Sequence, residues 1–131
     1  MFTINAADPA PIWKQIEEGV RRMIALGALK AAGPVPSARD LARELRVNPN
    51  TVARAYQRLT EAGVLAVKRG EGTFVADEPT QPRKSEKQEM LRDAATRFVS
   101  AAVAAGADLH EAAAAVQTAF ERLVREERKR A

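Results

Sequence analysis

The stretch Arg46–Leu65, "RVNPNTVARAYQRLTEAGVL", contains signals for the start, the buried face and the end of one short helix. Asn48 is a good N-cap residue, and Pro49 suits the first helical position because no N–H is needed there. Gly63 favours termination of the helix. Four apolar residues repeat at i, i+3, i+4 and i+7, and these predict the buried stripe: Val52, Ala55, Tyr56 and Leu59.

The opposite face of this predicted helix is polar in an unusual way. It presents Asn50, Thr51, Arg54, Gln57 and Arg58, whereas a solvated face more often mixes Glu and Lys. Asn, Gln and Arg have hydrogen-bonding groups that match base edges in the major groove of DNA. The helix start also presents free N–H groups that suit phosphates. The pattern indicates a DNA-reading helix, with a merely soluble face as the alternative.

The segments on either side predict a winged helix-turn-helix. A helix is expected from Ile12 to about Gly27. A second helix is expected to begin at Ser37, which resembles a capping box together with Asp40 three residues on. After the third helix, Leu65 to Val75 reads as two short strands around a glycine-bracketed turn. The sequence therefore predicts a mainly α fold with a small β-hairpin.

Three further basic residues are candidates for DNA contacts. Arg39 lies early in the second helix, where it would reach phosphate, and its alternative role is a surface ion pair with Asp40 or Glu44. Lys68 and Arg69 flank the predicted wing turn, and an arginine at such a tip suits a minor groove. The alternative for the wing is a hairpin with ordinary surface charges.

The C-terminal part predicts a separate helical region. We expect a DNA-binding domain over residues 1–76, a polar, proline-containing linker over 77–86, and an antiparallel two-helix region over 87–131. Two helices with apolar stripes cannot bury them alone, so pairing of two chains is expected. A monomeric hairpin folded against its own wing domain is the alternative.

Composition limits the function. Residues 12–75 contain 11 basic and 6 acidic residues, whereas residues 76–131 contain 10 of each, so a polyanion suits the first part. The absence of cysteine excludes disulfides, thiolate catalysis and cysteine-ligated zinc. No catalytic constellation, cofactor motif, signal peptide or membrane span is evident, so we expect a cytoplasmic protein that is not an enzyme.

The segments "PIWKQI", "GAL", "PSARDLA", "VNPNTVARAYQRL", "GVL" and "RGEGTFV" occur in this order between Pro11 and Val75. Together they resemble the DNA-binding domain of the GntR family of bacterial transcription regulators. The resemblance implies DNA contacts by Arg39, Asn50, Thr51, Arg54, Arg69 and Gly70. The short tail of 56 residues resembles that of the YtrA subfamily, which implies dimerisation through a C-terminal helical hairpin.

These observations predict a sequence-specific transcription regulator, a repressor, that binds a palindromic operator as a homodimer. The alternatives are a backbone-reading architectural module and a winged-helix protein–protein adaptor. A small effector between the C-terminal helices also stays open, although no polar cluster marks a site for it. The predicted DNA-binding residues are Ser37, Arg39, Asn48, Asn50, Thr51, Arg54, Gln57, Arg58, Lys68, Arg69 and Gly70.

Overall fold

The computed structural model describes residues 1–129 and contains five helices and one hairpin within them. The order is α1 (Ile12–Ala25), α2 (Ala38–Leu45), α3 (Pro49–Glu61), β1 (Leu65–Lys68), β2 (Gly72–Val75), α4 (Lys84–Ala104) and α5 (Leu109–Lys129). The predicted mainly α fold with a small β-hairpin is confirmed. None of the helices in this part of the chain combines the length and apolar character needed to cross a membrane.

The chain divides into two compact units. The first comprises Met1–Thr80 together with residues 126–129, and the second comprises Gln81–Arg125. Helices α1, α2 and α3 and the hairpin all belong to the first unit, which is therefore a winged helix-turn-helix. The domain boundaries expected at 76 and 86 stay a prediction. The last two residues of the predicted helical region, 130 and 131, lie outside the described residues.

The core of the first unit is built from apolar side chains of the three helices and the hairpin. On α3 the buried residues match the predicted stripe. The buried apolar residues are Phe2, Ile16, Val20, Met23, Leu41, Ala42, Val52, Ala55, Tyr56, Leu59, Val64, Leu65 and Val75. Because α3 contacts α1, α2 and β1, its orientation is fixed from three sides.

The wing is an antiparallel pair in which Leu65 faces Val75 and Lys68 faces Gly72. The predicted hairpin is present, with Gly72 already paired within β2 and residues 69–71 forming the tip. The connector before α2 also joins this sheet. Val35 N–H donates to Thr73 O at 3.0 Å, and Pro34 forms a bridge with Phe74. This pairing was not predicted from the sequence.

The second unit contains α4 and most of α5. The turn between them uses Gly106, with φ of +83°. A reciprocal capping box starts α5, because Glu111 N–H donates to Asp108 Oδ1 at 2.8 Å and Asp108 N–H donates to Glu111 Oε1 at 3.2 Å. Both helices are present as predicted, but they make almost no contact with each other within the chain. No residue of α4 is buried.

Candidate nucleic-acid interface

The start of α3 is fixed by local chemistry. Asn48 Oδ1 accepts a hydrogen bond from Asn50 N–H at 2.8 Å, and Pro49 occupies the first helical position. The preceding turn includes Arg46 in a left-handed conformation, with φ of +59°. Asn50 therefore stands in the first turn of α3, at the positive end of the helix dipole.

Helix α2 is positioned in the same way. Ser37 Oγ accepts a hydrogen bond from Asp40 N–H at 3.0 Å, which places Arg39 in the first turn of α2. Among the described residues, Asp40 pairs with Arg43 at 3.6 Å and Glu44 pairs with the N-terminal amine. The expected alternative, an ion pair between Arg39 and one of these acids, is absent from this part of the chain.

A buried hydroxyl links α3 to the connector before α2. The Tyr56 hydroxyl donates to the Pro36 carbonyl at 2.7 Å. Burial, with a smaller contribution from the Glu44 carboxylate, raises the pKa of the Tyr56 hydroxyl above its ordinary range. The hydroxyl is therefore a neutral donor, and it fixes the position of α3 relative to the start of α2.

The eleven predicted DNA-binding residues all lie in the first unit, and all but the half-buried Thr51 are exposed. They fall into two groups. In the first, the side chain has no hydrogen-bond or ion-pair partner among residues 1–129, which leaves its polar group free for a ligand. This group contains Arg39, Asn50, Thr51, Arg54 and Arg69. Gly70 lies at the wing tip with φ of +78°, and as a glycine it can offer a ligand only its backbone groups.

In the second group the side chain already has a partner within the protein. Ser37 and Asn48 cap helices, and Gln57 Nε2 donates to Glu61 Oε1 at 3.3 Å. Lys68 Nζ lies 4.5 Å from the centre of the Phe74 ring.

Arg58 is the most strongly engaged residue in this second group. Its Nε donates to Glu17 Oε1 at 2.6 Å, and its guanidinium lies 4.5 Å from the centre of the Trp13 ring. Neither partner was predicted from the sequence. A weak signal was present, because Trp13 and Glu17 are four residues apart and therefore lie on one side of α1.

The geometry of this surface suits DNA. Free arginine and asparagine side chains extend from the exposed side of α2, α3 and the wing, and α3 has no opposing acidic residue until Glu61. Within residues 1–129, no cluster of His, Asp or Glu side chains fits a metal ion. The fold and this surface define a DNA-binding module of the winged helix-turn-helix class.

Comparison with known proteins gives the family. The model for "Bacterial regulatory proteins, gntR family" matches residues 13–75. The chain is 29% identical to the HTH-type transcriptional repressor YtrA of Bacillus subtilis (strain 168), over 85% of each sequence. It is 33% identical to a solved structure described as YtrA from Sulfolobus acidocaldarius, a GntR-family transcription factor. That match covers 74% of this chain and 95% of the other, with a TM-score of 0.56.

A structure described as a transcriptional antiterminator from Listeria monocytogenes EGD-e matches over more of the chain. It covers 95% of this chain and 92% of its own, at 28% identity and a TM-score of 0.72. The chain belongs to the GntR family of bacterial regulatory proteins and is YtrA-like within it. It is a DNA-binding transcriptional regulator, and the named relatives are regulators of transcription rather than enzymes.

Proposed function

We propose that the protein is a homodimeric repressor that binds a palindromic operator and acts by binding alone, without a cofactor or catalysis. Each protomer places α3 in a major groove, and its wing tip approaches the neighbouring minor groove. The observation that supports this most directly is the set of free polar side chains on α3 and α2. Asn50 and Arg54 are exposed and without protein partners, and both have the hydrogen-bonding geometry that suits base edges.

Within the proposed interface, the residues differ in what they contribute. We assign base reading to Asn50, Thr51 and Arg54 on α3, and backbone contacts to Arg39 on α2. Arg69 and Gly70 form the tip that enters the minor groove. Ser37 and Asn48 contribute by capping α2 and α3, whose positive dipole ends suit phosphates.

Exposed apolar side chains in the second unit support dimerisation. Phe120 is 68% exposed and Leu109 is 85% exposed, and α4 presents Val99 and Val103 in the same way. A monomer in water rarely leaves so many large apolar side chains uncovered. A second copy supplies identical faces, so two chains can bury the stripes of α4 and α5 in one helical assembly.

A two-fold dimer requires an operator with matching symmetry. Half-sites would repeat about one helical turn apart, roughly 34–36 Å along the duplex. The repressive role is supported by the YtrA relative, which is described as a transcriptional repressor. Binding to chromosomal DNA places the protein in the cytoplasm.

The test is to select fragments of genomic DNA with the purified full-length protein and sequence the bound pool. We expect an inverted repeat with the stated spacing. A pool without a shared motif would contradict base reading, and an asymmetric motif would contradict the two-fold arrangement.

Sedimentation of the full-length protein tests the dimer. We expect the mass of two chains at micromolar concentration, and a shift to one chain when Phe120→Asp places a charge in the apolar face. Thr118→Asp is the matched control, since position 118 is also exposed on α5 and is polar. A wild-type protein that sediments as one chain would contradict the dimer.

A further inference from the structure

Arg58 lies on the polar side of α3, where the residue pattern alone suggests a DNA contact, yet its guanidinium is held by two residues of α1. Its Nε donates to Glu17 Oε1 at 2.6 Å, which is a charge-assisted hydrogen bond. The same guanidinium lies over the Trp13 ring at 4.5 Å from the ring centre. A cation–π contact together with a directed N–H bond fixes the side chain more firmly than either contact alone.

Solvent exposure indicates which partner depends on the other. The Glu17 side chain is 16% exposed, whereas the Arg58 side chain is 58% exposed. The carboxylate has lost most of its contact with water, and Arg58 is its only hydrogen-bond donor among the described residues. Moving Arg58 toward a phosphate would leave this carboxylate desolvated and unpaired, which is unfavourable.

The place of Arg58 along α3 agrees with this. The residues without partners, Asn50 and Arg54, lie in the first half of the helix, which approaches DNA in this fold. Arg58 lies one turn further on, between Leu59, which is buried, and Gln57, which is bonded to Glu61. Helix α3 packs on α1 through apolar contacts, and the Arg58 cluster adds a directional contact at the edge of that packing.

We propose that Arg58 is a positioning residue: with Glu17 and Trp13 of α1 it fixes the angle of α3, and thereby aims Arg54 and Asn50, without itself contacting DNA. This inference depends on the proposed operator binding. It predicts that a change on α1, on a residue that does not contact DNA, weakens recognition of the selected operator.

Whether Glu17→Gln strengthens or weakens operator binding distinguishes a phosphate-contacting Arg58 from a positioning Arg58. If Arg58 contacts phosphate, Glu17→Gln frees the guanidinium, removes a negative charge and strengthens binding. If Arg58 positions α3, the same change loosens the helix and weakens operator binding by about threefold to tenfold, as expected for one partly buried pair. The control is Glu18→Gln, because Glu18 is exposed, neighbours Glu17 in sequence and forms no ion pair among the described residues.

Substitution of Arg58 itself gives a second readout. Titration with salt should show the same slope for Arg58→Gln as for the wild type, whereas loss of a phosphate contact lowers the slope by about 0.9 per contact. Arg58→Lys keeps the charge but loses the planar fork, so it should weaken operator binding nearly as much as Arg58→Gln. The double variant Glu17→Gln/Arg58→Gln should bind about as well as either single variant, because both remove one interaction.

Tighter binding by Glu17→Gln than by Glu18→Gln, or a reduced salt slope for Arg58→Gln, would overturn the inference. The melting curve by circular dichroism shows that each variant is folded at the assay temperature, and the retained apolar packing of α1 on α3 leads us to expect this. If the wild-type protein selects no operator, the proposed function fails. If it selects one and Glu17→Gln tightens binding, only the role of Arg58 fails.

Discussion

Replacing Gly63 by alanine should destabilise the first unit more than the same change at Gly70, although the two glycines share one backbone conformation. Their φ angles are +79° and +78°. An added Cβ at position 63 would lie 2.6 Å from Thr80 Oγ1, whereas at position 70 it would meet no atom within 4 Å. Comparing the two substitutions therefore separates the cost of a left-handed alanine from the cost of a steric contact in the turn between α3 and β1.

The magnitudes follow from these two contributions. A left-handed conformation costs a non-glycine residue about 1–2 kcal/mol. Alanine also lowers the entropy of the unfolded chain, which offsets this cost by about 0.4–1 kcal/mol. The net expectation for Gly70→Ala is about 1 kcal/mol. At position 63 the contact adds about 1 kcal/mol, the lower end of the range for overpacking, because the Thr80 side chain is exposed. The Thr80 backbone is less free to move away, because Thr80 N–H donates to Gly63 O at 3.1 Å.

Urea unfolding of the full-length variants at one fixed protein concentration measures these differences, because dimerisation would make stability depend on concentration. Gly63→Ala should lose about 2 kcal/mol, and the double variant Gly63→Ala/Thr80→Ala should recover about half of that relative to Thr80→Ala alone. Equal losses at positions 63 and 70 would refute the steric argument. So would a double variant that recovers nothing.

Two further predictions concern charged side chains. Arg54→Ala should weaken binding to the selected operator by about 1–3 kcal/mol per half-site and affect random DNA much less, whereas Arg39→Ala should weaken both and lower the salt slope. Mobility shifts at several salt concentrations measure these effects. Equal losses on all sequences for Arg54→Ala would contradict the base-reading assignment. Arg22→Ala should destabilise the first unit more than Glu127→Ala. Glu127 is only 4% exposed and accepts from Arg22 Nε at 3.0 and 3.2 Å, whereas the Arg22 side chain is 37% exposed and can be hydrated alone. Urea unfolding compares the two variants, and the reverse order would contradict this prediction.

The extent of α3 was predictable because its determinants are local. Asn48, Pro49 and Gly63 act within a few residues of the helix ends, and the stripe that includes Val52 and Leu59 repeats within the helix itself. Cap chemistry and apolar periodicity need no knowledge of the rest of the chain. The start of α5 is likewise set by local chemistry, since Asp108 Oδ1 accepts from Glu111 N–H three residues on.

The partners of the polar residues were not predictable, because they are distant in sequence. Arg58 and Glu17 are 41 residues apart, and only the packing of α3 on α1 brings them together. The pairing of Pro34 with Phe74 likewise depends on where the connector crosses the wing. Residue type therefore indicated a surface suited to DNA, but it did not separate the free arginine at position 54 from the held one at position 58.

Tyr56 gives a test of the joint between α3 and α2 that depends on pH. It is the single tyrosine of the chain, so tyrosinate absorbance reports this residue alone. Burial raises its pKa in the folded state above the ordinary value of 10, which the unfolded chain retains. A raised folded pKa means that its contribution to stability is complete below pH 10 and is lost as the pH rises above it, since the unfolded chain then releases the proton first.

The loss attributable to Tyr56 should approach about 1.4 kcal/mol per pH unit above pH 10. The comparison is with Tyr56→Phe, which should lack this pH-dependent component. This variant should also lose about 1 kcal/mol of stability at neutral pH, because it lacks the hydrogen bond to Pro36. In the wild type, tyrosinate absorbance should appear together with the loss of helical circular dichroism. Ionisation near pH 10 in a chain that is still helical would show that the hydroxyl reaches water, and would contradict its role as the buried link between α3 and the start of α2.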